Sequence, residues 1–411
     1  MVSLLIALIF LAFVSLGLPV SLVGSVWPIL HADIGVPLTW AGIVSTIISL
    51  GKIAASLSSA RLGRRLSAGW ISGLGTLLTA VALFAFSLSR SFFAICAWSL
   101  VYGYGSGAID AALNHYVTLH YRARHLSWLH CFWGVGAAIS PYIMGWALAR
   151  GSGWPGGYQA VALLQLGLAV VLLATLPLWL RDGRTAGYAR LGAGAAGVAG
   201  TAGAEEGTKR TEAPRPPGLP QLLRVRGLGS MLLGFFSYCA VETTTYMWAS
   251  TWLVEQRGVD AGTAATCASL FFIGLTLGRF LSGFVSDRLG DRMMIRLGSA
   301  VVLLGIVLVL MPFAASWPAL LGLVGIGIGC APIFPSIIHA TPANFGTENA
   351  QAIIGVEIAS ANAGAILIPP FFGVVAGRLG IHLFPVFLLV FAILMILLTE
   401  RLNRILRYDR R

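Results

Sequence analysis

The stretch Gly283-Phe-Val-Ser-Asp287-Arg288-Leu-Gly290-Asp-Arg292 ends one long apolar segment and begins the next. Much earlier, Ser56-Leu-Ser-Ser-Ala60-Arg61-Leu-Gly63-Arg64-Arg65 does the same. Superimposed, the two share Arg-Leu-Gly-x-Arg. A helix that crosses a bilayer needs about 20 mainly apolar residues. By that rule twelve segments qualify: 4–30, 39–60, 69–88, 92–118, 126–149, 158–180, 229–254, 263–286, 295–314, 318–341, 351–377 and 382–400. The two basic loops then follow the second and the eighth segments, the same place in each set of six. The chain is therefore read as an all-α membrane protein of twelve transmembrane helices in two parallel six-helix halves. Such repeats place a solute site near mid-membrane, between the halves.

Composition agrees. Of 411 residues, 57% are hydrophobic and only 10% charged, against about 25% charged in a soluble domain. The net charge of +12 would suit a nucleic-acid partner, but the basic residues flank apolar segments and no nucleic-acid motif accompanies them. Cys96, Cys131, Cys239, Cys267 and Cys330 all fall within apolar segments, without C-x-x-C or metal-site spacing. They read as small buried hydrophobes. Leu4–Val14 mimics a signal-peptide core, yet apolar character continues to Leu30 and no small-x-small site follows, so an uncleaved first helix is expected. H-E-x-x-H, G-x-S-x-G and G-x-x-x-x-G-K-[ST] are missing, so no enzyme, metal or cofactor is expected.

One long polar stretch interrupts the pattern. Residues 181–228 hold a Gly/Ala-rich run at 191–203, Glu205-Glu206 and the breaker-rich Pro214–Pro220; such composition cannot bury a core and reads as a flexible linker. The expected organisation is an N-terminal half at 1–180, this linker, a C-terminal half at 229–400 and a basic tail at 401–411. Of the 27 Lys and Arg, Arg90, Arg150, Arg257 and Arg378 fall in loops of one side, Lys52 and Arg279 inside helices, and the others on the opposite side. By the positive-inside rule the linker and both termini are cytoplasmic.

Within the apolar segments a few polar residues stand out, because an ionisable group at a helix centre costs about 2.5–3.5 kcal/mol or more and usually faces a cavity or a partner. Asp110 lies in Gly103-Tyr-Gly-Ser-Gly-Ala-Ile-Asp110-Ala-Ala-Leu-Asn114, with Asn114 one turn on. Glu242 opens Glu242-Thr-Thr-Thr-Tyr246-Met-Trp248. Carboxylates, hydroxyls and aromatic rings are the groups that hold a sugar, which makes Tyr246, Trp248 and the amide Asn362 candidates too. Glu357 is a third acid, and each of the three can instead lock helices together as a paired or neutral carboxyl. Lys52 sits ~12 Å above the inner end of its helix; it either pairs with Asp110, pairs with Glu357 across the halves as a latch, or snorkels. His130 is either a proton relay or a packing residue.

The full loop Gly283–Arg292, and its partial copy with Ala60 in place of the acid, resemble the signature of the major facilitator superfamily. Within it, Ala108–Asn114, Trp128-Leu-His130 through Gly136, Val241-Glu242, Gly274–Arg279, Pro332-Ile-Phe-Pro335 and Ile368-Pro369-Pro370 resemble the fucose/glucose permease-like sugar:proton symporters. The resemblance implies alternating access, with Asp110 in proton coupling. It also implies a conformational latch made of Arg61, Gly63, Arg64, Gly283, Asp287, Arg288, Gly290 and Arg292. Two positions depart from that group: Val20 stands where its members carry an acid, and Glu357 where they carry glutamine. The expected protein is a monomeric, multi-pass transporter of a bacterial-type inner (plasma) membrane, moving a sugar-like solute with protons. A drug or metabolite efflux facilitator, and a non-transporting receptor or scaffold, are the alternatives.

Overall fold

Inside hydrocarbon, backbone N–H and C=O groups must be bonded within the chain itself, and the computed structural model meets that demand with helices alone. It describes residues 2–120, 123–181, 224–312 and 316–408; most of the expected linker lies outside them. The helices are α1 (Val2–Gly17), α2 (Leu22–Asp33), α3 (Ala41–Arg65), α4 (Ala68–Leu88), α5 (Phe92–His120), α6 (Ala123–Ala149), α7 (Gly153–Ala174) and the short α8 (Leu176–Arg181). After the gap come α9 (Leu228–Arg257), α10 (Ala261–Leu310), α11 (Trp317–Phe345), α12 (Thr347–Leu379) and α13 (Phe384–Tyr408). α10 is two membrane helices end to end. Its single non-helical residue is Gly290, at φ 71° and ψ 161°, a left-handed φ that suits glycine.

Among the described residues, eleven stretches are long and apolar enough to cross a membrane. The seventh expected span, α9, falls below that level of hydropathy although it has 30 residues. The reason is its Ser, Thr and Glu content: α9 packs against α2, α12 and α13, so most of its surface meets protein and not lipid. Elsewhere the outer surface is apolar, with Leu163, Val170, Leu304 and Leu397 each about 60% exposed, as a lipid-facing surface requires.

The first expected span is broken. α1 stops at Gly17 and α2 starts at Leu22, because Pro19 has no N–H for the carbonyl of Ser15, one turn back. Gln165 of α7 supplies the missing donor: its Nε2 bonds Ser15 O at 2.6 Å, while Ser15 Oγ donates to Gln165 Oε1 at 2.6 Å. Pro141 in α6 orphans Ala137 O in the same way, and Ser21 Oγ donates to that oxygen at 2.9 Å. At this level the backbones touch, since a Cβ on Gly17 would collide with Trp133 O and one on Gly136 with Val14 O. Small residues at the crossing are what allow it.

The two halves meet along three lines. Gly24 of α2 lies against the Tyr246 and Met247 backbone of α9, and Ser250 Oγ donates to Ser25 O at 3.0 Å. Gly42 of α3 lies against Pro370 of α12, and Gly373 and Gly377 lie against Thr39. Gly134 and Gly145 of α6 pack on Thr276 and Thr266 of α10. The α2–α9 and α3–α12 contacts lie toward the end that carries residues 34–40, 150–153 and 258–260. That end is closed. Toward the other end, where both termini emerge, Lys52, Asp110, His130 and Asn362 are exposed.

The Gln165 bond sets a test. Gln165→Leu leaves Ser15 O unpaired in an apolar interior, a cost of about 1–3 kcal/mol. A lower Tm in detergent is expected, and an unchanged Tm would mean the bond adds no net stability.

Candidate functional site

Glycines decide where the first wall of the site stands. On α3 and α5, Gly51 faces the backbone of Leu100 and Tyr104, Gly103 faces Ile48 O, and Gly107 faces the backbone of Lys52. A side chain at Gly107 would stand 2.7 Å from Lys52 Cα, so the helices run in backbone contact. Asp110 follows Gly107 by one turn, and this brings its carboxylate to the Lys52 ammonium. The two charges act on each other, although among the described residues no direct ion pair joins them. Asn114, four residues on and hence on the same face, donates Nδ2 to Asp110 Oδ1 at 2.9 Å and to Asp110 O at 3.0 Å. Lys52 and Asp110 are exposed and yet hemmed in by protein on most sides. That combination describes groups in a cleft, not on the lipid surface.

A second polar cluster belongs to α9, α10 and α6. Glu242 and Tyr246 share one face of α9. The Tyr246 ring lies 5.4 Å from Phe272, which stands edge-on to Trp133 at 6.1 Å. Arg279 of α10 lies 5.6 Å over the Trp133 ring and donates Nη1 to His130 O at 3.3 Å, so it ties the two halves together. Glu242 acts electrostatically on Tyr238, Tyr246 and Cys330, and Arg279 acts on Tyr238 and Cys330. The acid and the guanidinium therefore act on the same buried groups.

Arg279 is not among the site candidates expected from the sequence, and yet the sequence carries a signal for it. In the register that superimposes Arg61 on Arg288, Gly63 on Gly290 and Arg65 on Arg292, Gly51 falls on Gly278 and Lys52 on Arg279. Gly278 packs on Ile328 and Ala331 of α11 as Gly51 packs on α5. Each half thus carries one base at the same position, behind a glycine that seats its helix.

Other candidates fall elsewhere. Trp248 does not line the cleft: it is wholly buried, donates Nε1 to Pro369 O at 3.0 Å and packs on Phe372 at 5.5 Å, so it braces α9 to α12. Glu357 is 0% exposed and bonds Thr341 of α11, not Lys52. Thr341 Oγ1 lies 2.9 and 2.8 Å from the two Glu357 oxygens and 3.1 Å from Ile337 O. One hydroxyl proton cannot serve three acceptors. The His130 ring is exposed in the cleft and edge-on to Phe13 at 6.0 Å. Asn362 is exposed on α12. Of the expected latch, the side chains of Arg61, Arg64 and Asp287 lie outside the described residues; Gly63 is buried, Gly283 and Arg288 are exposed, Arg292 is half-buried, and Gly290 forms the bend of α10.

Comparison with known proteins gives a consistent result. A family model described as Major Facilitator Superfamily matches residues 9–265 and 230–407. The membrane sensor protein UhpC of Salmonella typhimurium is 28% identical over 300 residues, covering 67% of this chain and 62% of that protein. Bypass of stop codon protein 6 of Saccharomyces cerevisiae is 23% identical over 283 residues, covering 67% and 56%. The chain thus spans less than two thirds of the length of these curated relatives. Among solved structures, a bacterial homolog of the human lysosomal transporter Spinster, inward-facing and unoccupied, superimposes with a TM-score of 0.71 at 13% identity, covering 98% of both chains. A variant of the nucleoside transporter NupG gives 0.69 at 13% identity, covering 97% and 98%.

The Arg279 tie predicts a change in access. In a chain whose other four cysteines are replaced by serine, Arg279→Ala should speed maleimide labelling of Cys131, the neighbour of His130, several-fold. An unchanged rate would show that the contact does not hold α10 to α6.

Proposed function

Since the chain belongs to the Major Facilitator Superfamily, we propose that it is a secondary transporter that moves a small, neutral, polyhydroxylated solute by alternating access, with protons as the coupling ion. One observation carries this reading. Lys52, Asp110 and Asn114 gather inside one half and Glu242, Tyr246 and Arg279 inside the other, and in this reading the two sets line one cleft. Two acids and two bases balance, which favours an uncharged solute. Carboxylates and amides accept and donate to hydroxyls, and the Tyr246 and Trp133 rings offer apolar faces to C–H surfaces. A hexose has both kinds of surface, and so does the ribose of a nucleoside.

Coupling follows from charge. With the solute bound, closing the cleft around an ionised Asp110 would strand a carboxylate away from water, so reorientation of the loaded state favours its protonation. Glu357, buried and sharing one Thr341 hydroxyl between its two oxygens, is a second proton site in this reading. It stands in for the acid that sugar:proton symporters carry where this chain has Val20. In this reading the membrane is a bacterial-type plasma membrane, and the positive-inside count favours a cytoplasmic end with both termini. The closed end is then external and the conformation inward-open. The halves at 1–180 and 229–400 rock as bodies, and 181–228 tethers them.

A second reading has one observation of its own: a relative that is a membrane sensor. In that reading the same cleft binds the solute and reports it without moving it.

Uptake of labelled glucose, fucose, mannose and uridine into proteoliposomes, with and without an inward proton gradient, separates the readings. Gradient-dependent accumulation is expected, with Asp110→Asn retaining exchange and losing accumulation. Glu242→Gln should raise the half-saturating concentration by about tenfold, one lost charged hydrogen bond. Binding without uptake of any of them would leave the sensor. Accumulation unchanged in Asp110→Asn would remove this carboxylate from coupling.

A further inference from the structure

A second cavity lies far from the cleft, where α9 begins and α13 ends. Its volume is ≈ 600 Å³, and its lining includes Arg226, Ser230, Leu233, Leu398, Arg401 and Ile405. It belongs to the end of the molecule from which both termini emerge. We propose that it binds the headgroup of an anionic phospholipid, with an acyl chain lying along the outer flank of α9 and α13.

Four features support this occupant. First, two guanidiniums line the cavity and, among the described residues, no acid does; Arg side chains, with five N–H donors each, match a phosphate with paired donors. Second, the 30-residue helix α9 starts here, after Gly227 at φ 86°; the Leu228 and Ser230 N–H groups are taken by Val225 O and Gly227 O, so the Gly229 N–H and the helix dipole are what favour an anion. Nothing stands within 4 Å of where a Gly229 side chain would be, which leaves that turn accessible. Third, Ser230 lines the cavity at only 8% exposure, and among the described residues its hydroxyl makes no hydrogen bond. An unused donor open to the cavity beside two cations is what a phosphate oxygen completes. Fourth, the walls are Leu and Ile, and they continue into Leu233 at 55% and Leu397 at 63% exposure. A soluble anion has no use for such walls, whereas an acyl chain does. Basic pockets of this kind at a membrane's inner face recognise anionic headgroups.

The test is retention of lipid by the full chain. The protein is loaded with phosphatidylglycerol or phosphatidylcholine, stripped in detergent and examined by native mass spectrometry. Wild type is expected to keep phosphatidylglycerol and to lose phosphatidylcholine. Arg226→Gln/Arg401→Gln should retain it about 30-fold less well, from roughly fivefold per basic residue, while Arg90→Gln/Arg378→Gln at the opposite end keeps it. Ser230→Phe fills the cavity without altering charge and should also lose the lipid, with Tm confirming that each variant is folded. Equal retention of the two lipids, or no loss in the folded cavity variants, would overturn the proposal. Displacement of phosphatidylglycerol by millimolar inorganic phosphate would overturn the lipid assignment in favour of a free-phosphate site.

Discussion

A carbonyl oxygen without a donor is expensive in hydrocarbon, and much of this molecule is arranged around carbonyls that its own prolines have orphaned. Pro19 and Pro141 break the hydrogen-bond ladders of α1 and α6 at the level where the two helices cross. The donors that repair them come from elsewhere in the chain, Gln165 from α7 and Ser21 from the turn between α1 and α2. Each repair therefore also fixes a helix pair. The glycines on either side of the crossing, Gly17 and Gly136, allow the backbones close enough for the short side chain of Ser21 to reach. Proline and glycine, which weaken isolated helices, here specify which helices touch.

The same economy of size builds the cleft. Lys52 and Asp110 face each other because Gly103 and Gly107 let α5 lie on α3 in backbone contact. Arg279 reaches α6 from a helix seated by Gly274 and Gly278. Charge is thus placed by absent side chains as much as by present ones. A valine at any of these seams would collide with the facing helix and push it away.

Most of the architecture could be read from the sequence because membrane helices are long, apolar and flanked by arginine. The two Arg-Leu-Gly-x-Arg loops exposed the repeat, and the four-residue spacing of Asp110 and Asn114 put the pair on one face, where the amide bonds the carboxylate. What escaped the reading depended on partners distant in sequence. Trp248 looked like a cavity residue until Pro369 O and Phe372, more than a hundred residues away, took its ring. The break after Gly17 was hidden because hydropathy does not register a lost N–H. Arg279 was visible in the repeat register, but its significance depends on the His130 carbonyl and Trp133 of the other half.

Gly290 has a mechanical consequence. It is the only non-helical residue between the two arms of α10, so the arms share a joint with no slack. The first arm is fastened to the opposite half through Arg279 and His130 O. The second is fastened to α13 by the fork between Arg296 and Glu400, at 2.5 and 2.7 Å, and to α11 by Asp291 and His339 at 2.8 Å. A longer loop would absorb a tilt of the first arm. This one delivers the tilt to α11 and α13 as a crank turns its shaft, so the rim of the cleft cannot move independently of its wall.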